Sequence, residues 1–260
     1  MGAAAAAPSR VGDAVFVRRS KCGTGARATV TVPQLPDPQG GKPRLRATYA
    51  DGTAYDARVV RCVPVYGAER SFVLTGETDE FRQLARTQLG EGDFVLEIGS
   101  SYGDATASLL RTPGVTVLGL DTSKECVEVA EKALAAERAA GRVSFEVSDC
   151  VREWPELRAR FAAAPPAAVF IDIGGDRAFD TVLAVVELVE RDLKPRLVVV
   201  KCRELYRLAK AWCAARGPAA VPADMGPAAP VRSAEAFWRA MEAKTGAMQA
   251  ERAAFSRWLK

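Results

Sequence analysis

The chain has 260 residues, 48% hydrophobic and 26% charged, with a formal net charge of +4. That length holds one large domain, or a large one with a small companion, and no apolar run approaches the roughly 18 residues of a membrane span. The chain contains no histidine, which removes Ser-His-Asp hydrolysis and His-ligated metals.

Residues 1–10, MGAAAAAPSR, form an Ala-rich start expected to be disordered. Its apolar run is too short for a secretory signal, although its acid-free composition leaves organellar import open. Six cysteines (Cys22, Cys62, Cys126, Cys150, Cys202 and Cys213) are scattered without a C-x-x-C pair. This is the pattern of reduced thiols in a cytoplasmic or nuclear protein, not of a disulfide framework or zinc site. Residues 1–66 carry ten Lys/Arg against four Asp/Glu, residues 67–200 fifteen against twenty-three, and residues 201–260 eleven against five. An acidic middle between basic ends suits a polyanion held at those ends; the plain alternative is solvated surface charge.

Residues 11–66 read as a small basic β domain. VGDAVFVRR, ARATVTVP, PRLRATYA and YDARVVRCVPV are short strands rich in Val, Thr and Tyr. GTG, PDPQGG and DG are turns between them, and the set suggests an SH3-like barrel. ATYADGTAYDARVV resembles the Tudor pattern at Ala47, Tyr49, Asp51, Gly52, Tyr55, Ala57 and Val59. Tudor domains that read methylated residues use an aromatic cage. Here Phe16, Tyr49 and Tyr55 are the candidate rings, and packing is the role expected of them.

Residues 67–216 alternate strand and helix. TDEFRQLARTQL is a helix with Thr78 as its N-cap. Strand DFVLEIG, a helix near 104–111 capped by Asp104, strand VTVLGLD and helix SKECVEVAEKALAAERAA follow. Then come strand RVSFEVSD, helix REWPELRARF, strand AAVFIDI, helix RAFDTVLAVVELVERDL and strand RLVVVKC. Such alternation of buried strands with helices predicts an α/β, Rossmann-like, doubly wound parallel sheet. Residues 203–215 extend as a further helix. Residues 217–260 hold the loop GPAAVPADMGPAAP and a helix from about Ser233.

Ligands of a doubly wound sheet sit beyond the C-terminal ends of its strands. Glu97, Asp121, Asp149 and Asp172 stand at four of those ends and Lys201 at the fifth. Unpaired carboxylates at a buried margin are costly. Helix capping accounts for one or two of them; four at equivalent positions call for a ligand. Asp121 lies at a spacing that could hold a dinucleotide's ribose, but the G-x-G-x-x-G fingerprint is absent. Glu97, just before Gly99, would repel a pyrophosphate and suits a cationic ligand instead.

VLEIGSSYG, VLGLDTS, FEVSDC and VFIDIGG resemble, in that order, the first four motifs of the class I S-adenosylmethionine-dependent methyltransferases. The resemblance covers about residues 76–201. It implies that Glu97, with Gly99, Ser100, Ser101 and Gly103, holds the methionine end of S-adenosylmethionine. Ser101 stands where the family has its middle glycine. Asp121 with Thr122 would take the ribose hydroxyls, and Asp149 with Cys150 the adenine. A carboxylate that accepts two hydrogen bonds suits a vicinal diol.

The turn FIDIGG is not the Asn/Asp-Pro-Pro-Tyr of enzymes that methylate exocyclic amines. Lys201-Cys202 stands where catechol-type enzymes carry metal ligands, so no metal is expected. Asp172 and Lys201 match two members of the Lys-Asp-Lys-Glu set of the ribose 2′-O-methyltransferases, fibrillarin included, with Glu204 a partial stand-in for the last. Asp172 and Lys201 are therefore the catalytic candidates. RNA, held by the basic N- and C-terminal regions, is the expected acceptor. A small-molecule O-methyltransferase and a cofactor-binding chain without turnover are the alternatives. Family members usually add a sixth strand and an antiparallel seventh after the fifth helix. Here an Ala/Pro loop and a helix follow, so the sheet ends early, or the N-terminal unit or a partner covers its edge.

Overall fold

The computed structural model describes residues 10–18, 25–36, 41–66, 70–173, 179–207 and 209. The leader, the Ala/Pro loop, the C-terminal helix and the end of the expected 203–215 helix lie outside the described residues.

The first five strands are β1 (Ala14–Arg18), β2 (Gly25–Leu35), β3 (Arg44–Thr48), β4 (Ala54–Arg58) and β5 (Cys62–Pro64). They form an antiparallel sheet in the order β4-β3-β2-β1-β5. A single 3-10 turn, Val59–Arg61, brings the chain back to β1. Alternate residues face inward, as a one-sided sheet requires, and Val15, Val17, Val30 and Leu45 make its core. Tyr49 packs against that core. A Cβ at Gly25 would lie 2.6 Å from the Phe16 ring, so that ring too is packed closely. Tyr55 is 44% exposed.

The second sheet has six strands, all parallel. They are β6 (Ser71–Thr75), β7 (Phe94–Ile98), β8 (Thr116–Asp121), β9 (Val143–Val147), β10 (Ala168–Ile171) and β11 (Leu197–Lys201). Their order is β6-β11-β10-β7-β8-β9. Helices α1 (Thr78–Thr87), α2 (Asp104–Leu109) and α3 (Lys124–Ala133) share one apolar core with one face of the sheet. Helices α5 (Trp154–Phe161) and α6 (Phe179–Leu188) cover the other face, and α4 (Ala135–Ala139) follows α3. Each strand sends alternate residues to opposite cores. Ile98, Leu120, Ile171 and Val200 meet Trp154 and Val185 on one side. Val95, Phe170 and Val199 meet Phe81 and Leu109 on the other. Burying one such side chain stabilises the fold by about 1.5–3 kcal/mol. The doubly wound parallel sheet expected from the sequence is therefore present.

Four local expectations are corrected. Glu77, without a side-chain cap bond, occupies the cap of α1, and Thr78 is its first residue. The cap of α2 is Gly103 at φ 84°, a left-handed conformation that leaves Asp104 as the first helical residue. The long helix after Ser123 breaks at Leu134 into α3 and α4. Finally, β6 was not expected. It pairs with β11 from Ser71↔Leu197 to Thr75↔Lys201 and covers the edge where the family's later strands usually lie.

The two sheets are joined through α1. Gln88 is 0% exposed. Its amide donates to the Pro64 carbonyl at 2.8 Å and accepts from the Tyr66 N–H at 2.7 Å. Arg27 of β2 donates to the Leu89 carbonyl at 2.7 Å, and Arg18 of β1 to Gln83 at 3.1 Å.

Candidate active site

Parallel pairing sets Thr75 beside Lys201, Val200 beside Ile171, Ile171 beside Ile98, and Ile98 beside Leu120. One step on, Thr75, Lys201, Asp172, Gly99 and Asp121 make a row across five strands, on the face covered by α1, α2 and α3. Residues of one row point to one face. The ladder continues into that row, with Asp172 N–H donating to Ile98 O at 2.9 Å and Gly99 N–H to Leu120 O at 2.8 Å. The sequence therefore brings Glu97, Asp121, Asp172 and Lys201 to one margin, as strand-end placement requires.

Glu97 lies two residues before Gly99, so it points to the same face. It is 0% exposed. Its Oε2 accepts the Thr106 hydroxyl of α2, while Oε1 is buried and makes no hydrogen bond. Burial first, then the negative charges of Asp172 and Asp121, push its carboxyl from 4.5 up to about 8; the Thr106 bond opposes this in part.

Gly99 sits above it at φ +87°, and a Cβ there would lie 2.3 Å from the Asp172 carbonyl oxygen. Only glycine fits, because both the backbone angle and the space forbid a side chain. Ser100 Oγ is likewise buried without a partner. Ser101 adopts φ 46° although it is not glycine, a costly conformation for an L side chain. Its N–H donates to Asp121 Oδ2 at 2.8 Å. Asp121 Oδ1 accepts from Ser123 N–H at 2.9 Å, and Ser123 in turn caps α3 through its Oγ. Asp121 thus ties the turn to the start of α3 while Ser123 caps that helix, and the remaining lone pairs of Asp121 can still take a ligand.

Asp149 accepts from Val151 N–H at 3.2 Å and lies 3.9 Å from Arg152. Cys150 is buried with Trp154 and Leu120 in the core on the α5/α6 side. Thr122 is exposed. Lys201 Nζ donates to Asp172 Oδ2 at 2.7 Å, with each side chain about a quarter exposed (25% and 23%). Glu204 is exposed, and the Cys202 thiol donates to it at 3.7 Å. Among the described residues, no three His, Cys, Asp or Glu side chains gather as a metal site.

Residues 95–186 match the family described as a methyltransferase domain. The sheet order and the helices on both faces make the fold Rossmann-like. Among solved structures, the chain is similar to a SAM-dependent methyltransferase from Thiobacillus denitrificans in complex with S-adenosyl-L-homocysteine. The two are 22% identical over 48% of this chain and 47% of that one, with a TM-score of 0.36. A SAM-dependent methyltransferase from Geobacter sulfurreducens, in the same kind of complex, is 22% identical over 48% of each chain, with a TM-score of 0.35. The chain thus spans about half the length of each. A search of curated proteins gives no significant match.

The margin of this sheet has groups that suit a cationic ligand bearing a diol. An unbonded buried carboxylate oxygen suits an ammonium, a glycine allows close approach, and a partly exposed carboxylate suits a diol. Two residues of this margin were not singled out from the sequence. Thr106, nine residues after Glu97, requires the turn geometry to be known before it can be found. Thr75 depends on β6.

Proposed function

We propose that the chain is an S-adenosylmethionine-dependent methyltransferase whose acceptor is a hydroxyl, a ribose 2′-OH of RNA being the best match. The observation that carries this reading is the row in which Gly99 and Asp121, with Glu97 beneath Gly99, adjoin the Lys201–Asp172 pair. When bound, the cofactor supplies an activated methyl group, so the protein's task is chiefly alignment.

Glu97 Oε1 would take the ligand's ammonium, Asp121 its diol and Asp149 its adenine amine. Asp172 holds Lys201 by one of the three ammonium N–H groups. The other two are available to orient an acceptor oxygen and to favour loss of its proton. The RNA reading is supported by exposed Lys42, Arg58 and Arg61 on the N-terminal sheet. The order of that sheet and its 3-10 turn support a Tudor- or SH3-like unit.

Two measurements test this. Calorimetry with S-adenosylhomocysteine should show binding. Labelled S-adenosylmethionine should transfer its methyl to unmodified RNA. Lys201→Met keeps the stem and removes the charge, so turnover should fall at least a hundredfold with affinity for S-adenosylhomocysteine unchanged, as expected when an interaction acts mainly in the transition state. Full activity in that variant overturns the assigned role of Lys201. Transfer to a small hydroxyl compound but not to RNA favours the small-molecule alternative.

A further inference from the structure

Because β6 runs parallel to β11, its C-terminal end lies on the same margin as those of the other five strands. An antiparallel strand at this edge would present its opposite end. The ligand margin therefore continues past Lys201 into Thr75 and the start of α1. Cys202 N–H donates to Thr75 O at 3.0 Å, which fixes the two strand ends together.

Thr75 is only 2% exposed, yet its hydroxyl donates to the exposed Glu80 carboxylate at 2.6 Å. Thr75, the register neighbour of Lys201, thus holds an exposed acceptor in place from a buried position. Tyr206, just after β11, completes the wall. A Cβ on Gly76 would lie 3.0 Å from the Tyr206 ring, so ring and backbone are in close contact. Burial, and then the charges of Glu80 and Glu77, raise the Tyr206 hydroxyl above its ordinary range. Glu77, Asp79 and Glu80 are all exposed here, an arrangement that repels phosphate and attracts N–H and O–H donors.

We infer that Thr75, Glu80 and Tyr206 form the acceptor-side wall of the site, in which the Glu80 carboxylate accepts an N–H or O–H of the acceptor nucleoside while Lys201 faces the oxygen to be methylated. This rests on the methyltransferase reading. Glu80 is the specificity-determining group, Thr75 positions it, and phosphates must leave the site on the side away from α1.

The test uses the full chain and unmodified RNA transcribed in vitro, with label transferred from S-adenosylmethionine. Glu80→Gln should lower kcat/KM at least tenfold, mainly through KM, and Thr75→Val should reproduce part of that loss. Both variants should bind S-adenosylhomocysteine within twofold of the parent and keep its unfolding midpoint. Unchanged kcat/KM in a folded Glu80→Gln variant overturns the inference. So does a loss carried wholly by S-adenosylhomocysteine affinity. A parent chain that binds S-adenosylhomocysteine but labels no RNA also counts against it, because the wall is assigned to a nucleoside. A parent chain that does not bind S-adenosylhomocysteine instead overturns the methyltransferase reading beneath it.

Discussion

Burying a carboxylate with one oxygen unbonded favours its neutral form. At Glu97 this pushes the carboxyl from 4.5 up to about 8. Between those values the native state holds a proton that the unfolded state has released. Stability from this group is therefore full below about pH 4.5, declines as pH rises, and is lost beyond about pH 8. Glu97→Gln, neutral throughout, should remove that decline, which denaturant titrations at pH 5, 7 and 9 would show. A cation bound at Oε1 favours the charged form. Binding of S-adenosylhomocysteine near pH 7 should then release a proton, and its affinity should rise with pH. Calorimetry in two buffers of different ionisation heat measures that release, which Glu97→Gln should abolish. Equal proton release by both chains would assign the proton to another group.

Among the elements, β6 has the largest consequences. Phe72 is 1% exposed and packs in the core on the α5/α6 side. Phe72→Ala should cost about 3–5 kcal/mol if β6 is integral to the sheet; a loss below 1 kcal/mol would make it an adornment. The other five strands were legible because each is a buried apolar run followed by a helix with its own period. SFVLT is equally apolar and also precedes a helix, but no α-helix precedes it among the described residues, so the strand–helix alternation that revealed the others does not reach it. Charge at strand ends likewise made Glu97, Asp121, Asp172 and Lys201 legible. Thr106, Thr75 and Glu80 were not, because ordinary polar residues acquire a role only through neighbours distant in sequence. Ser101 marks the limit of motif reading. Its place in the turn is visible, whereas its left-handed backbone, held by Asp121, is a tertiary property.

On the scale of the whole molecule, the N-terminal sheet is attached through polar contacts that are specific and fully buried at Gln88. Gln88→Ala removes the two hydrogen bonds that the buried amide makes to the Tyr66 N–H and the Pro64 carbonyl, and should cost roughly 2–4 kcal/mol. If the two sheets unfold as one unit, near-ultraviolet and far-ultraviolet signals should shift together. A split into two transitions in the parent chain would show that the sheets are energetically independent.

The β6–β11 pairing also sets an order of events during synthesis. Ser71 pairs with Leu197, so β6 leaves the ribosome long before its partner exists. At about 5–20 residues per second the wait is roughly 6–25 s. Over that interval the strand is an apolar edge with no ladder to join, while the N-terminal sheet just before it can already fold from local contacts. The newborn chain must therefore carry an unsatisfied strand behind its N-terminal strands. The nascent polypeptide is most exposed to aggregation and chaperone capture in the window that closes when Lys201 emerges.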